Sequence, residues 1–237
     1  MTDVQSSANR LLSALPTDEY RRLEPHLEHV TLSPRQVLFD EGTPVRRSYF
    51  PTSGFISYVA VLEDGPVIEA ATVGPEGVAG APLFIEDVAA PITAVVQMPC
   101  TCATISARSL NRVLPESPRL AALMRGYSQA LLGQTLQNVA CNTVHTVGAR
   151  MAKWLLLSSD RSHATEFLMT QEFLGQMLGV ARQTVAKFAG ALQDEGIITY
   201  RRGKVSIRSR KRLAETACSC YQAIRRRYDT VLPHVLG

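Results

Sequence analysis

The stretch that decides the fold is T-Q-E-F-L-G-Q-M-L-G-V-A-R-Q-T-V-A-K-F-A-G-A-L-Q-D-E-G-I-I, residues 170–198. Its first half sets Phe173, Leu174, Met177 and Leu178 on one apolar helical face, at i, i+1, i+4 and i+5. Gly179 permits a tight turn. The second half turns Val185, Ala189 and Leu192 inward and leaves Arg182, Gln183, Ala186 and Lys187 together on the outer face. Two helices joined by so short a turn, the second polar near its start, read as a helix-turn-helix.

That outer face has a chemical counterpart. The major groove of DNA admits a helix, and its guanine O6 and N7 match a forked arginine while adenine N6 and N7 match a glutamine. Arg182, Gln183 and Lys187 are therefore the expected base readers, and the small Ala186 lets the helix approach closely. Thr170, Gln171 and Thr184 suit phosphate oxygens, which set register without reading sequence. Thr170 is also placed to cap the first helix. The following I-I-T-Y-R-R-G-K-V-S-I-R-S, residues 197–209, reads as a hairpin turning at Arg202-Gly203. Its basic tip, Arg201, Arg202 and Lys204, is expected to lie on the DNA backbone as a wing. A polar helix face by itself is more often merely solvated; here a turn glycine, an inward apolar set and a basic hairpin occur together.

Charge partition agrees. Residues 152–237 hold 14 Lys and Arg against 7 Asp and Glu, while the rest of the chain holds 11 against 14, so only the C-terminal part suits a polyanion. At 46% hydrophobic and 19% charged, the 237 residues describe a globular chain with a sizeable core. No apolar run approaches the roughly 18 residues of a membrane span. The N-terminal M-T-D-V-Q-S-S-A-N-R lacks the basic-then-apolar pattern of a secretory signal. A cytoplasmic protein with no membrane partner is expected.

Upstream, residues 9–30 read as helix, with Thr17 as cap of a second piece. From Thr31 to Ile105 short segments closed by turn residues read as strands. These are Val37–Phe39, Phe55–Leu62 with a return at Val67–Val73 around Glu63-Asp64-Gly65, Ile92–Gln97 and Cys102–Ile105. Many short strands between Gly and Pro imply a β-sandwich or jelly-roll, so the fold class is α+β. Past Pro118 the period becomes helical. Leu120, Met124, Tyr127 and Leu131 form one stripe, and Leu132, Leu136 and Val139 a second one position along. A long core helix accounts for such stripes; a dimerisation helix joining a β-domain to a basic domain accounts for them better. A further helix around Trp154, Leu155 and Leu156 is expected to stop near Ser158-Ser159-Asp160. The expected domains are 1–117, 118–158 and 159–237.

The five cysteines are odd in number and include no C-x-x-C, so inert thiols are expected. Cys100 and Cys102 would share a strand face. Cys141 stands alone, open to pairing with its twin across a dimer axis. No histidine lies near enough in sequence to suggest zinc, and no metal or cofactor is expected. Enzyme signatures are also missing: there is no G-x-S-x-G, P-loop, H-E-x-x-H or G-x-G-x-x-G.

Nearly the whole chain resembles the Crp/Fnr superfamily of bacterial transcription regulators. The resemblance rests on T-V-G-P-E-G-V-A-G (72–80), V-G-A-R-M-A-K-W-L-L (147–156) and the helix-turn-helix. It implies a cyclic-nucleotide-binding-type β-roll, a long dimerisation helix and a winged helix-turn-helix that reads a palindrome in double-stranded DNA. RNA polymerase would be a partner of an activator. In the family the positions of Arg182, Gln183 and Lys187 read bases, and the commonest pattern has Glu second and Arg third. A guanine contact by Arg182 is thus the part that carries over best.

The sensor departs further from the family. Cyclic-AMP binders resemble G-E-x-x-[GL]…R-[ST]-A, where the arginine grips the phosphate and the glutamate the ribose. Here Gly77 and Gly80 remain, Val78 replaces the glutamate and Ile92 the arginine, leaving Thr93 and Ala94. An anionic phosphate would lack a cation. The pocket reads as degenerate, and any small-molecule effector as less anionic. Neither an iron–sulfur type, since the first cysteine is Cys100, nor a haem type fits the scattered His26, His29, His145, His163 and His234.

Overall fold

Alternating segments punctuated by turns become strands, as the pattern requires. The computed structural model describes residues 8–63, 67–80 and 89–232; the Asp64-Gly65 turn lies outside the described residues. The strands are β1 (Glu28–Leu32), β2 (Val37–Phe39), β3 (Arg47–Ser53), β4 (Ile56–Val61), β5 (Val67–Val73), β6 (Ala79–Gly80), β7 (Thr93–Val96) and β8 (Cys100–Ser106). They form two antiparallel sheets, ordered β1-β8-β3-β6 and β2-β7-β4-β5. Phe50, Ile56, Val73, Val78, Ala94, Val96 and Ile105, all fully buried, belong to one core with these sheets. The chain crosses repeatedly from sheet to sheet, which makes this a jelly-roll-like β-roll.

The N-terminal helix is shorter than the periodicity suggests. Asn9 caps α1 (Arg10–Ser13) by accepting from the Leu11 and Leu12 amides, and its buried amide donates to the Pro51 and Gly77 carbonyls. In α2 (Thr17–Leu23) the cap position is Pro16, so Thr17 lies inside the helix and does not cap it. After a short 3-10 turn the expected helix gives way to β1, whose Glu28–Leu32 pair with Thr104–Cys100. Tertiary pairing overrides local helical propensity there. α3 (Ala107–Val113) is capped by Ser106 and leads to α4 (Pro118–Val144), the long helix.

The two apolar stripes of α4 have different fates. Leu120, Met124, Tyr127 and Leu131 are buried in the core of their own chain, together with Ile224, Tyr228 and Leu232. Ile224 and Tyr228 belong to α9 (Cys220–Val231), a helix nearly a hundred positions downstream that folds back onto α4. The expectation that these four residues make a dimer face is therefore corrected. Leu132, Leu136 and Val139 remain 60%, 62% and 62% exposed.

After a break at His145 and Thr146, α5 (Val147–Ser162) runs unbroken past the expected domain boundary at 158/159. Its buried Met151, Trp154, Leu155 and Leu156 pack with the C-terminal elements, so the second folding unit begins at α5. That unit contains β9 (Glu166–Leu168), α6 (Gln171–Leu178), α7 (Arg182–Asp194), β10 (Ile198–Arg201), β11 (Lys204–Ile207) and α8 (Arg210–Thr216). Phe55, Val59 and Met98 of the roll join the same core, and Phe55 meets Trp154 edge-on with ring centroids 5.8 Å apart. No helix among the described residues is long and apolar enough to cross a membrane.

A polar contact also bridges the two units inside this core. Glu69 on β5 accepts from the Trp154 indole at 3.0 Å and from the Ser57 hydroxyl at 2.6 Å. Burial pushes the Glu69 carboxyl up to about 7, against those hydrogen bonds. Between its ordinary 4.5 and about 7 the folded carboxyl keeps a proton that the unfolded one has lost, so stability falls as pH rises through that window. The loss amounts to on the order of 3 kcal/mol and is complete above the window. Glu69→Gln keeps an acceptor for the indole and removes the charge. Urea denaturation at intervals from about pH 4.5 to about pH 8 should show a declining stability in the wild type that this variant flattens.

Candidate nucleic-acid interface

Thr170 starts α6 by accepting the Phe173 amide at 3.1 Å on its side-chain oxygen, the cap read from sequence. Leu174, Met177 and Leu178 are buried, whereas Phe173 is half-buried, with the guanidinium of Arg35 from the roll over its ring. The helix ends at Gly179, whose φ of 64° a side-chain-bearing residue adopts at a cost. Val185, Ala189 and Leu192 then hold α7 against α5 and α6. The Leu178 carbonyl, left over at the end of α6, accepts from Arg150 at 2.5 Å.

On the outer side, Arg182, Gln183, Ala186 and Lys187 are all exposed and adjacent, and Thr184 is half-buried. Among the described residues neither Arg182 nor Lys187 has an ion-pair partner; Arg210 and Arg212, by contrast, are bound to Asp160 and Glu195. The N-cap of α7 is Ala181, which supplies no side-chain hydrogen bond. The positive end of this thirteen-residue helix therefore faces outward without a side-chain acceptor, beside the arginine that opens it.

The predicted wing forms. β10 and β11 pair from Ile198↔Ile207 to Arg201↔Lys204, and the tip residues Arg202 and Gly203 have φ of 49° and 73°, the left-handed pair of a tight hairpin. β9 extends this sheet on the other side of β11. The Tyr200 hydroxyl donates to the Met169 carbonyl at 2.7 Å, which ties the wing to the start of α6. Arg201 and Arg202 are exposed, with no ion-pair partner among the described residues. Lys204 is different: it is paired with Glu166, so a phosphate contact from it first requires that pair to open. Thr170, Arg202 and Gly203 also line a cavity of about 540 Å³ with Pro34, Arg35 and Met98 of the roll. The outer face of α7 is thus open, while the adjoining phosphate candidates lie close to the roll.

In the sensor, the residues of the expected pocket are occupied by the chain itself. Tyr127 lies against Gly77 so closely that a Cβ there would come within 2.2 Å of its ring. Val78 is completely buried. Gly80 pairs with Ser48, Thr93 accepts from the Glu41 amide at 3.0 Å, and half-buried Ile92 packs against the core. Glu76, in the same turn, is bound by Arg161 of α5 through Nε at 2.8 Å and Nη2 at 2.5 Å. Arg161 also reaches Thr72 and Gln134, and Gln134 accepts from the Tyr228 hydroxyl at 2.8 Å. Sequence reading missed Arg161, and a cation in a segment of Ser and Asp offered no signal of its partner 85 positions away. Beside it lies a second cavity of about 540 Å³, lined by Arg10, Glu76, Asp160, Arg161, His163 and Arg225 among others.

The motif V-G-A-R-M-A-K-W-L-L acquires a physical meaning here. Arg150 satisfies α6, Trp154 reaches Glu69, and Lys153 donates to Asn138 and Cys141 of α4. Cys141 is not alone, as expected from spacing, but 3.5 Å from Cys218 of the same chain.

Comparison with known proteins agrees with this geometry. Residues 29–117 match the family model of the cyclic nucleotide-binding domain, and residues 149–216 that of the Crp-like helix-turn-helix domain. The chain is 22% identical over 187 residues to the global nitrogen regulator of Nostoc sp. strain PCC 7120, covering 75% of this chain and 83% of that one. Its fold is similar to that of a Crp/Fnr-family transcriptional regulator from Eubacterium rectale, with a TM-score of 0.68 at 15% identity over 89% of this chain and 99% of that one. FixK2 from Bradyrhizobium japonicum gives a TM-score of 0.67 at 18% identity, over 81% and 98%.

The Arg161–Glu76 pair is almost fully buried on both sides. Arg161→Met leaves the Glu76 carboxylate without its cation and should cost about 3–5 kcal/mol in urea denaturation. Adding Glu76→Leu to it should restore much of that stability, because the orphaned charge is then gone.

Proposed function

Because the chain belongs to the Crp/Fnr superfamily of transcription regulators, we propose that it acts as a homodimer whose two α7 helices read the half-sites of a pseudo-palindrome. The observation that carries this reading is the open row of Arg182, Gln183 and Lys187 at an uncapped helix start. Arg182 would take guanine O6 and N7, Gln183 an adenine, and Lys187 a neighbouring base edge. Thr170, Gln171, Thr184, Arg201, Arg202 and, once freed from Glu166, Lys204 would hold phosphates. Half-sites would lie about 34–36 Å apart, one turn of DNA.

The second copy has a surface to meet. Leu132, Leu136 and Val139 are exposed at i, i+4 and i+7 on α4, and two such helices side by side would cover each other's stripe. Sensing would not involve cyclic AMP: Val78 and Ile92 offer neither carboxylate nor cation, Tyr127 covers Gly77, and Arg161 is already engaged by Glu76. The cavity beside Arg161 favours an effector of little net charge, since Arg10, Arg161 and Arg225 there are paired with Asp229, Glu76 and Asp160. Contact with RNA polymerase would belong to an activating role.

Selection of bound sequences from a random DNA pool, with ligand-free protein, should enrich a palindrome. On that site Arg182→Ala should lose about 1–3 kcal/mol of binding and relax one position of each half-site. Unchanged affinity would remove α7 from the interface. Leu136→Glu should sediment as a monomer and bind the full site no better than a half-site; a dimer that survives this change would place the interface elsewhere.

A further inference from the structure

The end of the long helix carries a group of side chains that DNA reading does not use. Cys141 is in the last turn of α4 and His145 caps the helix four residues later, so the two lie on one face. Cys218 and Cys220 flank Ser219 where α8 gives way to α9. The fold brings these four together from the end of α4 and from the α8–α9 junction. Cys141 Sγ is 3.5 Å from Cys218 Sγ, Cys220 Sγ is 3.6 Å from His145 Nδ1, and all four donor atoms lie within 4.8 Å of one another.

These distances have a specific meaning. A metal with bonds of about 2.3 Å to sulfur and about 2.0–2.1 Å to nitrogen spans a tetrahedron whose donor–donor edges are about 3.5–3.8 Å. The two measured edges already fall at that length. A disulfide between Cys141 and Cys218 would need a sulfur separation of about 2.05 Å. The three thiols also form a small cluster apart from both hydrophobic cores, and among the described residues Ala149 is the one partly buried hydrophobic packed against them. Apolar packing does not explain why they are gathered there.

The surroundings are arranged for thiolate sulfur. Lys153 Nζ lies 3.4 Å from Cys141 Sγ and is held by Asn138 at 2.9 Å, and Gln137 Nε2 donates to Cys220 Sγ at 3.2 Å. The roll provides an internal contrast. Cys100 and Cys102 are equally close, at 3.4 Å, but sit in the main apolar core. Proximity of two sulfurs alone does not bring a third cysteine, a histidine and a lysine beside them, as at Cys141.

We propose that Cys141, His145, Cys218 and Cys220 form a closed tetrahedral site for zinc(II). Three thiolate sulfurs and His145 Nδ1 each donate an electron pair to the metal. Every cysteine that enters as a thiol gives its proton to solvent, and no electron is transferred. Three thiolates and one neutral imidazole around a divalent ion leave one negative charge, which the Lys153 ammonium balances. Sequence reading put the metal out of reach because Cys141 and Cys218 are 77 positions apart. The Cys141–His145 spacing on a helix was the available signal. Bound zinc joins the end of α4, and the two-residue break after it, to the α8–α9 junction.

The test uses purified full-length protein stripped with a chelator under reducing conditions, then titrated with zinc(II) or cobalt(II). One metal ion should bind per chain, with the intense ligand-field bands and thiolate charge-transfer absorption of tetrahedral cobalt. Cys218→Ser and Cys220→Ser should each weaken binding at least about tenfold, while Cys100→Ser with Cys102→Ser should leave it unchanged. Cys220→His, which keeps four ligands, should retain one cobalt with a diminished thiolate band even where a serine variant folds poorly. Zinc should also slow amide hydrogen exchange at His145–Ala149 in the wild type. Cobalt binding that is absent, or that survives both serine changes undiminished, would overturn the proposal. So would a Cys141–Cys218 disulfide that persists as the resting form after reduction in the presence of zinc.

Discussion

Everything in this molecule that must act together meets at the guanidinium of Arg161. It comes from α5 and binds Glu76 and Thr72 of the roll and Gln134 of α4, while Tyr228 of α9 completes the group through Gln134. Removing both charges from water is costly, and the cost is offset only when every partner is in place. A partial assembly leaves a buried charge without its counterpart. The network therefore links sensor, long helix and C-terminal unit in a cooperative way that apolar packing alone would not. Trp154 and Glu69 do the same two turns earlier on α5, so this helix is fastened to the roll along its length.

The same contacts occupy the turn of the roll that lies beside α4 and α5. The turn Gly74-Pro75-Glu76-Gly77 belongs to one of the motifs that carry the family resemblance, and here it faces the chain's own arginine and tyrosine. Glu76 cannot serve as an anion-binding group, and it does not need to, because it is a ligand of Arg161. A cavity remains next to this pair, at the seam between the roll and the C-terminal unit, and its lining includes residues of both. A molecule lodged there would touch the network that holds the two units together.

How much was legible in the sequence depended on how local each signal was. The helix-turn-helix and wing could be read because the apolar period, Gly179 and Arg202-Gly203 all act within a few residues. The roll's hairpins were visible for the same reason, but β1 was taken for helix and β3, with Pro51 inside it, gave no clear alternation. The stripes on α4 look equivalent in sequence. The return of α9, with the Tyr228 ring centroid 5.9 Å from that of Tyr127, decides that one is interior and the other exposed. The cluster of Cys141, His145, Cys218 and Cys220 was hidden in the same way, since helical spacing could suggest half of it and the fold alone supplies the rest.

The path of α9 has a mechanical consequence. The C-terminal unit leaves α4 at His145-Thr146 and comes back to α4 through α9, where Gln134 meets Tyr228, Gln137 meets Cys220 and Gly133 meets Arg227. A body hung by one thread can tumble, whereas one held at two points along a rod, and fastened to the roll through α5 as well, cannot turn without opening one of those contacts. Any rotation of α7 relative to the roll must therefore break the seam at Arg161, at Glu69 or between α4 and α9.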